Sequence, residues 1–327
     1  MHYYNTLVLL ALSLPLVAHS KSIYIDKSCT SRSSWDDDWK ETLKLAKRAR
    51  ERMDSSTDTD FEAVFKRVFQ TEKSSDEGKY ARSILEDIEG LSTVTDLKKS
   101  DIRMFCDNDK RWGDARANGG WYDKTNEMVT KNEPSCLKDL ALGRVYERKA
   151  KAPTDKNSPR AGHNPDRVVV TICDATFVSQ EDIPLRIDKK VEEQDLSDMP
   201  INYLSLTVSQ TILHELAHAV SYAASDESSD KKLQILDLPD KEHAYGWNNV
   251  ITKEAEMAVK NADNYAFLGK WAVAGDMGYT LPRVNEADLS DEIKKEREED
   301  AVEGYLNKFT DITKRMLMPL VARAFSS

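Results

Sequence analysis

Thr207-Val208-Ser209-Gln210-Thr211-Ile212-Leu213-His214-Glu215-Leu216-Ala217-His218-Ala219-Val220 is the stretch on which the reading of this 327-residue chain turns. Apolar side chains recur through it at three- and four-residue spacings (Leu206, Val208, Ile212, Leu213, Leu216, Ala217 and Val220), which predicts a helix with a buried side. Thr207-Val208-Ser209-Gln210 fits a capping box that would start the helix, and the polar run from Ser225 to Asp230 would stop it. Inside the helix lies His214-Glu215-Leu216-Ala217-His218, an H-E-x-x-H segment. Residues four apart share a helix face, so the two imidazoles can reach one metal ion with Glu215 beside them.

The residue types match a chemistry. Neutral imidazole is a good zinc ligand, and three protein ligands leave a fourth position for water, whose pKa the metal brings to about 7. A carboxylate at Glu215 is spaced to take the proton from that water. The expected class is a zinc hydrolase, with His214 and His218 as ligands and Glu215 as general base.

Composition bounds the setting. The first twenty residues carry no Lys, Arg, Asp or Glu, and Leu7 to Val17 form an apolar block followed by Ala18-His19-Ser20. That block is too short to span a bilayer, so residues 1–20 read as a secretory signal peptide and residues 21–327 as the mature, extracellular chain. Four cysteines remain, Cys29, Cys106, Cys136 and Cys173, and an oxidising compartment predicts two disulfides in one of three possible pairings. With 57 acidic against 47 basic side chains and a net charge of -10, nucleic acid is not expected as a partner. Neither is a membrane. No repeat or Gly/Ser linker divides the chain, so one domain, monomeric, with a helical extension from about 280 to 327, is expected.

Three amphipathic helices are predicted over 35–53, 60–70 and 80–88, ahead of any strand. Asp101 to Cys106 alternates as a half-buried strand does, and Arg167 to Cys173, β-branched almost throughout, is the clearest strand. The region from Cys136 to Lys149 fits a short helix or a strand. Ala152 to Pro165 reads as a loop. Beyond the motif, helices are predicted over about 251–274 and 300–324. The fold class is therefore α+β, mostly helical with a small sheet.

The third ligand is less plain. The metzincin pattern would place Gly and His where Ser221 and Ala224 stand, which excludes it. A following helix offers Glu254 or Glu256, and the loop Leu238-Pro239-Asp240-Lys241-Glu242-His243-Ala244-Tyr245-Gly246-Trp247 offers others. With Tyr245-Gly246 and the downstream Asn261-Ala262-Asp263-Asn264-Tyr265, the chain resembles the deuterolysin family of fungal secreted aspzincins, related to the peptidyl-lysine metalloendopeptidases. Their motif helix is followed by G-T-x-D-x-x-Y-G, the Asp being a zinc ligand. In that register the ligand position is Glu242, with Asp240 and His243 as competitors, and the Gly-Thr is absent.

The resemblance implies a zincin-like fold, Zn2+ held by His214, His218 and Glu242, and Tyr245 as a donor to the oxyanion of peptide hydrolysis. Protein or peptide substrates would follow, and the strand 167–173 could line an extended substrate. The alternative is a secreted zincin-fold binding protein or effector without turnover. Lysine specificity is not implied, because no particular acidic side chain can be nominated for the pocket.

Overall fold

The computed structural model describes residues 20–113, 120–130, 133–136, 138, 141–148, 167–178, 186–187, 195–224, 234–240, 243–282 and 290–308. The expected leader up to residue 19, the loop Ala152 to Pro165, Glu242 and the C-terminal residues from 309 lie outside that set. The described chain is mixed helix and sheet, about half helical, with small sheets.

In chain order the strands are β1 (Ser22–Ile25), β2 (Ser92–Val94), β3 (Ile102–Phe105), β4 (Trp112–Gly113), β5 (Trp121–Asp123), β6 (Met128–Thr130), β7 (Gly143–Arg148), β8 (Arg167–Ile172), β9 (Tyr279–Thr280) and β10 (Asn307–Lys308). The helices are α1 (Lys27–Thr30), α2 (Trp35–Asp54), α3 (Thr59–Phe69), α4 (Asp76–Glu89), α5 (Asn108–Arg111), α6 (Val208–Ala224), α7 (Trp247–Ile251), α8 (Ala255–Ala258), α9 (Ala262–Asp276) and α10 (Asp291–Glu303). The main sheet has the order β2-β1-β3-β8-β7, parallel except for β7, which runs antiparallel to β8.

The three N-terminal helices occur where the apolar spacing places them, as α2, α3 and α4. They do not precede every strand. Ser-Ile-Tyr-Ile of β1 comes first and is an inner strand of the sheet. Four residues are too few for periodicity to show, and β1 is a strand because β2 and β3 pair with it across long intervals of sequence.

The sheet is covered on both faces. Val168, Val170 and Ile172 of β8 and Ile102 and Met104 of β3 join the main helical core. Val169 and Phe105 point the other way, into a smaller cluster with Trp112 and Met128 of the antiparallel sheet β4-β5-β6. Strands buried on two faces read as continuous apolar runs, which is why β8 is so evident in sequence. It also corrects the half-buried reading of β3. Its alternate side is buried too, and Arg103 there donates to Asn126 Oδ1 at 3.3 Å.

The segment left between helix and strand becomes β7. Disulfides join Cys29 to Cys106 and Cys136 to Cys173, tying α1 to the end of β3 and the chain before β7 to the end of β8. No helix among the described residues is long and apolar enough to cross a membrane.

Helix α6 is the central element. It packs on β3, β7 and β8 on one side and on α2, α4 and α9 on the other, and every residue from Val208 to Ser221 is buried. The expectation of one buried side is thus exceeded. Gly269 of α9 sits where a Cβ would come within 2.7 Å of Leu213 Cδ2 and 3.1 Å of Leu45 Cβ, so only glycine lets α9 approach α6 and α2 this closely.

Two predicted helices differ in detail. The 251–274 segment is three helices, α7, α8 and α9, interrupted where Lys260 and Asn261 turn their hydrogen bonds toward the loop at Asp237. The predicted 300–324 helix falls mostly outside the described residues, and its first residues end a helix, α10, that starts at Asp291. Ser290 caps it through Ile293 N, and Gly304, in the left-handed region at φ 75°, ends it. Ala301 and Leu306 are buried in the core on either side of that stop, Val302 is exposed, and the chain leads into β10.

Candidate metal centre

On α6, His214, Glu215 and His218 are all buried, and they open onto a cleft of about 840 Å³ bounded by β7 on one side and by Leu236, Asp237 and Tyr245 on the other. His218 Nδ1 faces the carbonyl of Ile235 at 2.8 Å. A carbonyl only accepts, so Nδ1 carries the proton and Nε2 presents its lone pair to the cleft. His214 Nδ1 faces Asp263 Oδ1 at 3.4 Å, which orients the second ring in the same way.

Both lone pairs converge on a third acceptor. Asp237 Oδ1 lies 3.1 Å from His214 Nε2 and 3.2 Å from His218 Nε2, and the two Nε2 atoms are 3.2 Å apart. Three acceptors thus form a nearly equilateral triangle, and Asp237 Oδ1 is buried with no hydrogen-bond partner. Such an arrangement is repulsive unless positive charge sits at its middle.

Zinc fits. Tetrahedral zinc with ligand bonds of about 2.0–2.2 Å separates neighbouring ligand atoms by roughly 3.3–3.5 Å, close to the observed triangle, and two imidazoles with a carboxylate are an ordinary donor set for it. The electrostatics agree in direction. Burial works against a charged His214, but its neighbours Asp237 and Asp263 outweigh burial and hold the imidazole well above its ordinary pKa. Burial would raise the carboxyl of Asp237, and His214 and His218 overcome that and hold it far below the usual range. The site draws in positive charge.

The loop that delivers Asp237 is fastened at both ends. Ser221 donates from its hydroxyl to the carbonyl of His218 and accepts from Ile235 N at 3.0 Å. Leu236 N donates to the Lys260 carbonyl at 2.7 Å, Ala262 N returns to the Leu236 carbonyl, and Leu238 N donates to Asn261 Oδ1. Asn261 Nδ2 reaches the Ala244 carbonyl at 3.0 Å. The helix break before α9 therefore serves to hold Asp237 against α6.

Glu215 packs its carboxyl against Gly143 of β7, where a Cβ would fall 2.5 Å from Oε1. A glycine at the start of the edge strand makes room for it. Burial raises the Glu215 carboxyl above its ordinary value, the two imidazoles opposing. Tyr245 lies beside His214, ring centroids 5.6 Å apart and planes tilted by 33°, and donates from its phenol to Asp237 Oδ2 at 2.8 Å.

Of the residues expected from sequence, His214, Glu215, His218 and Tyr245 are therefore brought together. Glu242 lies outside the described residues, and among the described ones Asp237 completes the triangle. The competitors Asp240 and His243 are exposed and bond to each other, His243 Nδ1 to Asp240 Oδ1 at 2.9 Å. Asp263, which the sequence allows either as an ordinary polar helix residue or as a carboxylate orienting a ligand imidazole, holds His214 and also accepts from Gly246 N at 2.7 Å. Asp237 had no signal except its place at the head of the return loop, because its distance from His218 matches no spacing that the sequence could suggest. Strand β8, expected to line a substrate, is paired on both sides by β3 and β7 and cannot receive another strand. The edge facing the cleft is β7. No protein-family model, no curated protein and no solved structure matches the chain.

Proposed function

We propose that this protein is a secreted zinc-dependent endopeptidase of zincin-like fold, and that His214, His218 and Asp237 hold the metal. The observation that carries the reading is the triangle of three buried acceptors on a helix that also carries Glu215. Zinc bound there would supply a Lewis acid and a water acidified to about pH 7. The chain's own residues do the rest. The Glu215 carboxylate accepts the proton from the attacking water and passes it to the leaving amine nitrogen. Tyr245 offers its phenol to the oxyanion that develops on the scissile carbonyl. Asp263 and the Ile235 carbonyl keep both imidazoles in the ligating tautomer. The edge of β7, which no strand covers among the described residues, would bind an extended peptide by backbone hydrogen bonds, in place of the 167–173 strand. Two disulfides support the extracellular setting, since such bonds persist in oxidising compartments.

The test is metal analysis of the purified protein together with a casein digest. One zinc per chain is expected, with casein cleaved, and Glu215→Gln should keep the zinc while lowering turnover by about 10²–10⁴-fold. Zinc bound without cleavage of any protein or peptide would favour the binding-protein alternative. Absence of bound zinc would overturn the metal centre itself.

A further inference from the structure

Lys270 of α9 is fully buried, yet it belongs to none of the roles above. Its Nζ donates to Ser205 Oγ at 2.7 Å and lies over the ring of Phe267, 3.3 Å from the centroid. Among the described residues Asp263 is the one carboxylate whose charge reaches it, and Asp263 is already committed to His214 and to Gly246 N. A buried ammonium without a dedicated counter-ion is costly, and burial pushes this one down to about 7. The molecule carries that cost directly behind the wall of the cleft.

Ser205 forms that wall, at the end of the cleft where Gln210 and Thr211 also lie. Thr211 precedes His214 by three residues, so this end adjoins the metal centre on the same helix face. A serine hydroxyl that accepts from an amine keeps its own proton to donate. Ser205 therefore presents a donor to the cleft, backed by positive charge. The acids among the described cleft residues are Glu215, Asp237 and Asp263, each engaged in the centre, whereas Arg144 adds a cation on the β7 side.

We propose that Ser205, carried on Lys270, is a recognition subsite for an acidic side chain, aspartate or glutamate, on the substrate residue next to the bond being cut. The inference rests on the peptidase reading above. An incoming carboxylate would receive the Ser205 hydroxyl proton in a charge-assisted hydrogen bond and would give Lys270 the counter-charge it lacks. A basic side chain would meet like charge instead. The net charge of -10 does not reverse this, because charges dispersed over the surface are screened beyond about 8 Å whereas a buried group is screened far less.

The experiment uses the zinc-loaded full chain and a mixed peptide library, with cleavage sites read by mass spectrometry, followed by matched peptides carrying Glu, Gln or Lys at the enriched position. The Glu peptide should exceed its Gln partner by about 10-fold in kcat/KM, the size expected of a hydrogen bond to a charged group. Ser205→Ala and Lys270→Met should each bring that ratio toward one, and Ser205→Ala suffices if Lys270→Met does not fold. Equal cleavage of Glu and Gln peptides, a preference for Lys, or an unchanged ratio in Ser205→Ala would overturn the subsite while leaving the peptidase reading in place. If the zinc-loaded protein cleaves no peptide at all, both fall.

Discussion

Two polar clusters are buried against opposite faces of the main sheet, and they are built on opposite principles. Beneath the small antiparallel sheet, Arg111 donates from Nε to Asp123 Oδ2 at 2.7 Å, from Nη1 to Asp107 Oδ1 at 2.6 Å and from Nη2 to Thr171 Oγ1 at 2.8 Å. Asp123 also accepts from the backbone and side-chain nitrogens of Asn126. Acceptors there meet donors, and the ring of Phe105 lies 4.2 Å from the Arg111 guanidinium carbon. On the other face, His214, His218 and Asp237 turn three ligating atoms toward one point, with no Lys or Arg side chain between them among the described residues. The first cluster is complete as the chain makes it. The second calls for a cation from outside, and that difference separates a structural network from a functional centre.

The largest expected effect lies in the complete cluster. Asp123→Ala leaves the Arg111 guanidinium buried without its best partner and should cost about 3–5 kcal/mol in urea-monitored stability, with zinc content unchanged in whatever fraction folds. The same change in the other cluster should act the other way round. Asp237→Ala removes the acceptor of the Tyr245 phenol and a carboxylate that favours a charged His214, so metal-free stability should fall by about 1–3 kcal/mol, less than for Asp123→Ala. Zinc affinity, read by competition with a chromophoric chelator, should fall by ~100-fold or more. A metal-free Asp237→Ala protein destabilised as much as Asp123→Ala would erase the distinction and make the centre an ordinary buried network. The smallest effect sharpens rather than breaks the comparison. Gly143→Ala displaces Glu215 without touching the triangle, so zinc affinity should be retained while kcat drops by about 10-fold through misplacement of the base. A loss of zinc in that variant would show that β7 supports the metal and not only Glu215.

Much of the helical frame could be read directly. Phe61, Val64, Phe65, Val68 and Phe69 follow helical spacing and are all buried on α3, and the Val-rich β8 was evident because a strand covered on both faces is apolar throughout. Local spacing failed where long-range pairing or backbone hydrogen bonding decided the outcome. Strand β1 owes its existence to β2 and β3. The long helix expected after residue 251 is divided because the backbone of Lys260 and Ala262 and the side chain of Asn261 serve the Asp237 loop. The charged helix α10 has no apolar periodicity, being mostly exposed, and only its Ser290 cap and Gly304 stop mark it in the sequence.

At the candidate centre, sequence alone determined His214, Glu215 and His218, because residues four apart on a helix share a face whatever the rest of the chain does. The resemblance in the Tyr-Gly register implied that Tyr245 lies near them, and its ring is 5.6 Å from that of His214. Which carboxylate completes the triangle was decided only in three dimensions. Asp237 is nineteen residues beyond His218 and reaches it through hydrogen bonds to Ser221, Lys260, Asn261 and Ala262, contacts that no local pattern encodes. Asp263 and Gly143 were decided in the same way, one by the angle at which α9 meets α6, the other by the close approach of an edge strand. A helix carries its geometry in its own repeat. A loop takes its geometry from what it is tied to.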